Sequence, residues 1–336
     1  MGITAKELAR ELNLSEAAVS MALNNKPGVS TATRQKVLIA AEKNGYDFSR
    51  ISDKHITQGA IYFVIYKKHG TVVTDTPFFS QVSDGISLGC KKKNYKIKIS
   101  YVYEDEDTIE KQIDDLRYSD CCGVILLGTE MTAADVPPFL ALPFPVVLLD
   151  TCFDEVPCDY VLINNVQGAF LATGYLIRKC KKQPGYLRSA YPIRNFAERA
   201  NGFYQAIRSA GFSASKSIVH HLTPSVEGAY ADMTEIIRSK EELAPCYFAD
   251  NDLIAVGAMK ALKENGCRIP DDISVIGFDN LPVSSVIEPG LTTIHVPKEY
   301  MGETAANRLI SLLKNPKQPP VKTEIHTTLF KRGSVV

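Results

Sequence analysis

The sequence predicts two fold classes in succession: a small all-α unit of helix-turn-helix type, then an α/β domain built as two Rossmann-like halves. Three observations lead there. Residues 1–46 carry three short amphipathic helical patterns and no strand pattern; from residue 60 onward apolar strand runs alternate with helical runs; and some ten such strands exceed one comfortable sheet. The 336 residues are enough for two or three cores, and 45% hydrophobic with 23% charged residues is a globular composition.

The helical unit is read from its punctuation. Thr4 and Glu7 make a capping-box pattern ahead of Leu8, Ala9 and Leu12. Ser15 opens a second helix carrying Val19, Ala22 and Leu23, and the short turn at Asn13 and Leu14 lets it cross the first steeply. Pro27 and Gly28 stop the chain, after which Ser30 starts a third helix with Val37, Leu38, Ala40 and Ala41 on one face, ending at Gly45. The exposed N-terminal face of the second helix presents Ser15, Glu16, Ala17, Ser20 and Met21, none bulky enough to bar entry into a major groove. Thr4, Ser15, Asn24, Ser30 and Thr33 stand at helix starts or in turns, where phosphates are met. Charge does not decide the matter: residues 1–60 hold eight basic and six acidic side chains, and the chain balances 38 Lys and Arg against 38 Asp and Glu. A helical interaction domain with polar caps fits the same pattern.

Strand-like runs follow at 60–66, 96–103, 123–127, 146–149, 160–163, 185–189, 217–222, 246–249 and 273–278, and the runs 292–296 and 324–330 let the chain cross back. The expected division is a headpiece at 1–46, a linker at 47–59 and a domain at 60–336. Within the domain, one half takes about 60–161 plus 292–322, and the other about 162–291 plus 323–336.

Catalysis is not expected. Gly85-Ile86-Ser87-Leu88-Gly89 matches the Gly-x-Ser-x-Gly elbow, but it lies inside an amphipathic helix at 79–93 instead of a sharp strand-to-helix turn. No glycine-rich loop cradles a nucleotide, and the eight cysteines and six histidines show no ligand spacing, so neither cofactor nor metal is expected. Charged residues between Lys6 and Glu11 break any signal segment, and the apolar runs 121–127 and 139–149 are short for a membrane span; a cytoplasmic protein without a membrane partner is expected. What remains is a set of polar residues at strand ends, where open α/β sheets bind ligands: Asp150, Asn251, Asp252 and Asp279, with Asn195 and Arg199 one turn apart on a helix. Singly, each is as readily a cap or an ion-pair partner.

The run Ile3-Thr4-Ala5-Lys6-Glu7-Leu8-Ala9, with Leu14-Ser15, Val19-Ser20, Leu23-Asn24-Asn25-Lys26-Pro27-Gly28-Val29-Ser30, Thr33-Arg34 and Gly45-Tyr46, closely resembles the DNA-binding headpiece of the lactose/galactose repressor family. Thr76-Pro77-Phe78-Phe79, Gly202-Phe203, Ala249-Asp250-Asn251-Asp252, Gly277-Phe278-Asp279, Pro289-Gly290-Leu291-Thr292-Thr293-Ile294 and Met301-Gly302 resemble its effector domain, which is similar to periplasmic sugar-binding proteins. The resemblance covers nearly the whole chain. It implies a homodimeric regulator that binds a double-stranded DNA operator under control of a sugar-like effector. Base contacts would come from Glu16, Ala17 and Met21, although many members carry arginine where Met21 stands. Arg199, Asn251, Asp150 and Asp279 would hydrogen-bond the effector, and Phe78 or Phe79 would wall an apolar ring face. Arg199 is further expected to be removable with little effect on the folded core. The rival reading is a small-molecule sensor without DNA readout.

Two places depart from the family pattern. Its hinge helix, Ala-Arg-x-Leu with a wedging leucine, is replaced by Asp47-Phe48-Ser49-Arg50-Ile51-Ser52-Asp53-Lys54-His55, so either Ile51 or Phe48 acts as the wedge or the linker merely tethers. After the first strand, Lys67, Lys68 and His69 replace neutral residues; with Arg188 and Arg194, if these face the cleft, they favour an anionic ligand, a solvated rim being the alternative.

Overall fold

The computed structural model describes residues 3–24, 28–47, 59–68, 70, 72–73, 77–104 and 109–336. The linker residues 48–58, with Phe48 and Ile51, and also His69 and Thr76, lie outside them. The headpiece comprises α1 (Ala5–Glu11), α2 (Glu16–Leu23) and α3 (Thr31–Lys43), capped by Thr4, Ser15 and Ser30. Leu8, Ala9, Val19, Ala22, Leu23, Val37 and Ala41 close its small core.

The second part begins with β1 (Ala60–Lys67), α4 (Pro77–Lys91), β2 (Lys96–Tyr103), α5 (Ile109–Arg117), β3 (Cys121–Leu127), α6 (Pro137–Leu140), β4 (Val146–Leu149) and β5 (Asp159–Ile163). Next come α7 (Asn165–Cys180), β6 (Gly185–Ser189), α8 (Arg194–Ser209), β7 (Val219–Leu222), α9 (Val226–Arg238), β8 (Cys246–Ala249), α10 (Asp252–Glu264), β9 (Ser274–Asp279), α11 (Val283–Val286) and β10 (Thr292–His295). It ends with α12 (Lys298–Lys314), β11 (Lys322–Ile325) and β12 (Thr328–Phe330).

Two six-stranded sheets result, ordered β11-β5-β4-β3-β1-β2 and β12-β10-β9-β8-β6-β7; their pairs are parallel except β10 with β12. Helices cover both faces, which is why β4 and β5 are buried throughout and, apart from Asp159 at the start of β5, read as unbroken apolar runs. Along β1, Ile61, Phe63 and Ile65 feed one core while Val64 and Tyr66 feed the core on the opposite face.

The chain passes between the sheets three times, after Ile163, after His295 and after Ile325. The boundaries therefore differ from those read in the sequence. β10 pairs with β9 in the second sheet and not in the first, and the run 324–330 is two short strands in different sheets. Side-chain bonds invisible to a hydrophobic pattern set both points. Thr293 donates to the buried Asp252 carboxylate at 2.5 Å, and Gln167 holds Thr327 from both sides, accepting its N–H at 3.1 Å and donating to its carbonyl at 3.1 Å.

The Gly-x-Ser-x-Gly run is a packing face inside α4. A Cβ on Gly85 would collide with the Glu299 carbonyl of α12, and one on Gly302 with the Val82 carbonyl of α4, so the two helices touch backbone to backbone.

Candidate ligand cleft and nucleic-acid interface

The carboxyl ends of β4, β8 and β9 and the first turn of α8 converge where the two halves meet. There Phe78, Phe79, Asp150, Asn195, Arg199, Asn251 and Asp279 line one pocket. Asp150 and Asp279 end their strands with φ of +67° and +104°, a region that costs a non-glycine residue energy and that surrounding bonds must hold. The Asp150 N–H donates to the Val161 carbonyl at 3.0 Å, and its carboxylate accepts the Thr129 hydroxyl at 2.6 Å. The Asp279 carboxylate meets Arg199, while Lys298 donates to its carbonyl oxygen at 2.6 Å.

Arg199 is buried, with only 4% of its surface exposed. Its Nε donates to Asn165 at 2.9 Å, Nη1 to the Asp250 carbonyl at 2.5 Å and Nη2 to Asp279 Oδ1 at 3.2 Å, and its plane lies over the Phe278 ring, 3.8 Å from the centroid. Every one of these partners belongs to the half built on the second sheet. The expectation that Arg199 could be removed with little effect on the folded core is therefore corrected.

The other polar groups are oriented as firmly. Asn251 caps α10 by accepting the Ile254 N–H at 2.9 Å, which leaves its amide nitrogen as the donor toward the pocket. Asn195 accepts from Asn165 at 3.3 Å. Phe78 and Phe79 meet edge to face at 5.1 Å and form an apolar wall. Burial pushes the Asp150 carboxyl up to about 7 against the opposing effects of the Thr129 hydroxyl and the Arg199 charge. It likewise raises Asp250 to about 6, despite bonds from the Tyr186 hydroxyl and the Ser189 N–H, and Asp252 to about 8. Asp279 is raised by burial too, with Arg199 and Lys298 opposing. Carboxylates that accept, an amide that donates and an aromatic wall suit a small molecule rich in hydroxyls.

On the headpiece, Ser15, Glu16, Ala17 and Ser20 are exposed along the start of α2, and Met21 is half-buried. Ser15 accepts the Ala18 N–H at 3.1 Å, Ser30 accepts the Thr33 N–H at 3.1 Å, and Thr4 completes a capping box with Glu7. The two bonds from Thr4 hold the Glu7 carboxyl below its ordinary range. Asn24 folds back on its helix, donating to the Ser20 carbonyl at 2.8 Å.

Residues 4–48 match the model for bacterial regulatory proteins of the lacI family, and residues 174–335 match a periplasmic binding protein-like domain. Over 336 residues the chain is 30% identical to the HTH-type transcriptional regulator GalR of Escherichia coli K12, covering 99% of this chain and 95% of that protein. The chain belongs to the lacI family. Among solved structures, this lacI-family regulator is similar to one from Enterococcus faecium with bound ribose, at 25% identity and TM-score 0.71 over 81% of this chain and 98% of that one. It also shares the fold of the lac repressor dimer bound to operator, at 20% identity and TM-score 0.69 over 99% of each chain. It is thus a DNA-binding transcriptional regulator with an effector-binding domain.

In this regulator most of the cations singled out near the cleft are already committed. Lys67 lies over the Tyr101 and Tyr103 rings, Lys68 pairs with Glu104 at 2.8 Å and Asp135 at 3.4 Å, and Arg194 pairs with Glu198 at 3.0 Å. Four groups that shape the pocket escaped the sequence reading: Thr129, Asn165, Asp250 and Lys298. Asp250 stood in the quoted Ala249-to-Asp252 run, but its partner Tyr186 lies 64 residues away. Among the described residues no cluster of His, Cys, Asp and Glu has metal-holding geometry, and no helix is long and apolar enough to cross a membrane.

Proposed function

We propose that this regulator is a cytoplasmic homodimer, without catalytic activity, whose operator affinity changes when a sugar or sugar derivative closes its cleft. The observation that carries the reading is the split of the pocket: Asp150 comes from the half built on the first sheet, whereas the Arg199–Asp279 pair, Asn195 and Asn251 come from the other. A polyhydroxylated ligand that bonds both sides favours the closed arrangement, because only there are all its contacts made. The three crossings act as the hinge, and rotation of the halves changes the spacing of the two headpieces on their half-sites. The ribose held by the Enterococcus regulator supports a sugar as the ligand class.

At the DNA, α2 enters the major groove. Glu16 accepts from a cytosine amino group, Ala17 touches a thymine methyl, and Met21 adds apolar contact, with Ser15 and Ser20 beside them. Thr4, Asn24, Ser30 and Thr33 bond phosphates, Asn24 by exchanging its bond to Ser20 for one to DNA. The test is selection of duplexes from a random pool by the full chain. Enrichment of a two-fold symmetric site is expected, and it should vanish when residues 1–46 are removed.

A further inference from the structure

Beside the pocket lies a second, wider cavity, a vestibule that shares Ile193 and Phe196 with it as lining residues. Arg188 at the end of β6 and His221 on β7 are register partners on adjacent parallel strands, so both side chains stand on one face, and both line the vestibule. Arg188 is half-buried, and among the described residues its side chain forms neither an ion pair nor a hydrogen bond, although its charge acts on the buried Asp250 carboxyl. Two of the acids around it are otherwise engaged. Asp250 is held by Tyr186 and Ser189, and Glu130 is held by four backbone N–H groups, those of Lys68, Gly70, Val72 and Val73, at 2.8–3.1 Å. Glu155 lines the cavity as an exposed acid.

We infer that the vestibule is a subsite for an oxyanion carried by the effector, gripped by the Arg188 guanidinium with an N–H bond from His221. The inference rests on the reading of the cleft as a sugar site and narrows it to sugars bearing a phosphate ester or a carboxylate. The planar fork of Arg188 fits either group by two parallel bonds. The inner pocket does not: Asp150 and Asp279 face it, and the Arg199 guanidinium, the one among its described lining residues, is already spent within the protein. The sugar ring therefore lies inward against Phe78 and Phe79, with its anionic group directed outward.

Calorimetric titration of the full-length protein with D-galactose, D-galactose 6-phosphate, D-galacturonate and inorganic phosphate tests this. Inorganic phosphate should bind, and Arg188→Gln should weaken it at least tenfold. At least one anionic sugar should bind at least tenfold more tightly than galactose, with the difference erased in Arg188→Gln and partly kept in Arg188→Lys; which of the two gains separates phosphate ester from carboxylate. Phosphate binding that depends on Arg188, with no galactose compound bound, would keep the oxyanion subsite and remove galactose-type sugars from the cleft. Absence of phosphate binding, equal affinities in wild type and Arg188→Gln, or a preference for galactose over both anionic sugars would overturn the inference.

Discussion

Arg199 and Asp279 form a buried ion pair within one half of the effector domain, Nη2 to Oδ1 3.2 Å, and Asp150 faces them from the other half. The guanidinium thus has two duties. It fixes the Asp279 carboxylate that lines the pocket, and it ties α8 to α7 through Asn165 and to the end of β8 through the Asp250 carbonyl. Arg199→Ala leaves Asp279 buried without its partner, so it should lower stability by about 3–5 kcal/mol as well as abolish effector binding. Scanning calorimetry checks it; an unchanged melting temperature would show the pair to be dispensable to the fold. Arg199→Lys should fail as well, since an ammonium cannot serve three acceptors set in a plane.

The pH dependence follows from the buried carboxyls. Asp150 titrates near 7 in the folded chain and near 3.9 when unfolded. Between those values the unfolded chain has lost its proton and the folded chain keeps it, so stability from this group falls as pH rises from about 4 through 7. Asp250 near 6 and Asp252 near 8 act in the same direction. Asp150→Asn should therefore raise the melting temperature more at pH 8 than at pH 5, removing a penalty of roughly 4 kcal/mol at most. Equal shifts at both pH values would place the Asp150 carboxyl in a solvated setting.

Glu130 is the anchor of the loop after β1, which carries Val72 into the pocket wall. Glu130→Gln turns one acceptor oxygen toward N–H groups as a donor and should cost about 1.5–3 kcal/mol locally. Hydrogen exchange at Val72 and Val73 should speed up, and unchanged protection would mean that the loop is held by other contacts.

In the headpiece, Ala17→Ser should change the preferred base at one position, because that residue is exposed at the start of α2. Asn24→Ala should weaken all sites alike, and Ser15→Ala should cost about 1 kcal/mol of helix stability through its lost cap. Repeating the duplex selection with each variant separates base contact from phosphate contact.

Much of this was legible in the sequence for physical reasons. Caps are local, so Thr4, Ser15 and Ser30 could be placed from spacing alone; and parallel sheets open their clefts at strand ends, so the pocket-lining positions of Asp150, Asn251 and Asp279 could be found there. What stayed hidden depends on distant partners. The sheet that takes β10 is fixed by pairing with β9 and by Thr293 on Asp252, the commitments of Lys68 and Arg194 by acids that only the fold brings near, and the internal pairing of Arg199 by Asn165 and Asp279. Lys298 reads as an ordinary surface lysine at a helix start, yet it lies buried among backbone carbonyls where the chain leaves the second sheet after His295.

The central claim is that a small molecule in the cleft controls DNA affinity, and the measurement that tests it most directly is fluorescence anisotropy of the selected duplex titrated with the full-length protein, with and without a panel of sugars and sugar phosphates. At least one compound should change the dissociation constant tenfold or more in the wild type, and in Asp150→Asn, which keeps the fold, that response should be lost while the duplex is still bound. A duplex affinity that no compound alters, or a response that survives Asp150→Asn undiminished, would contradict the account.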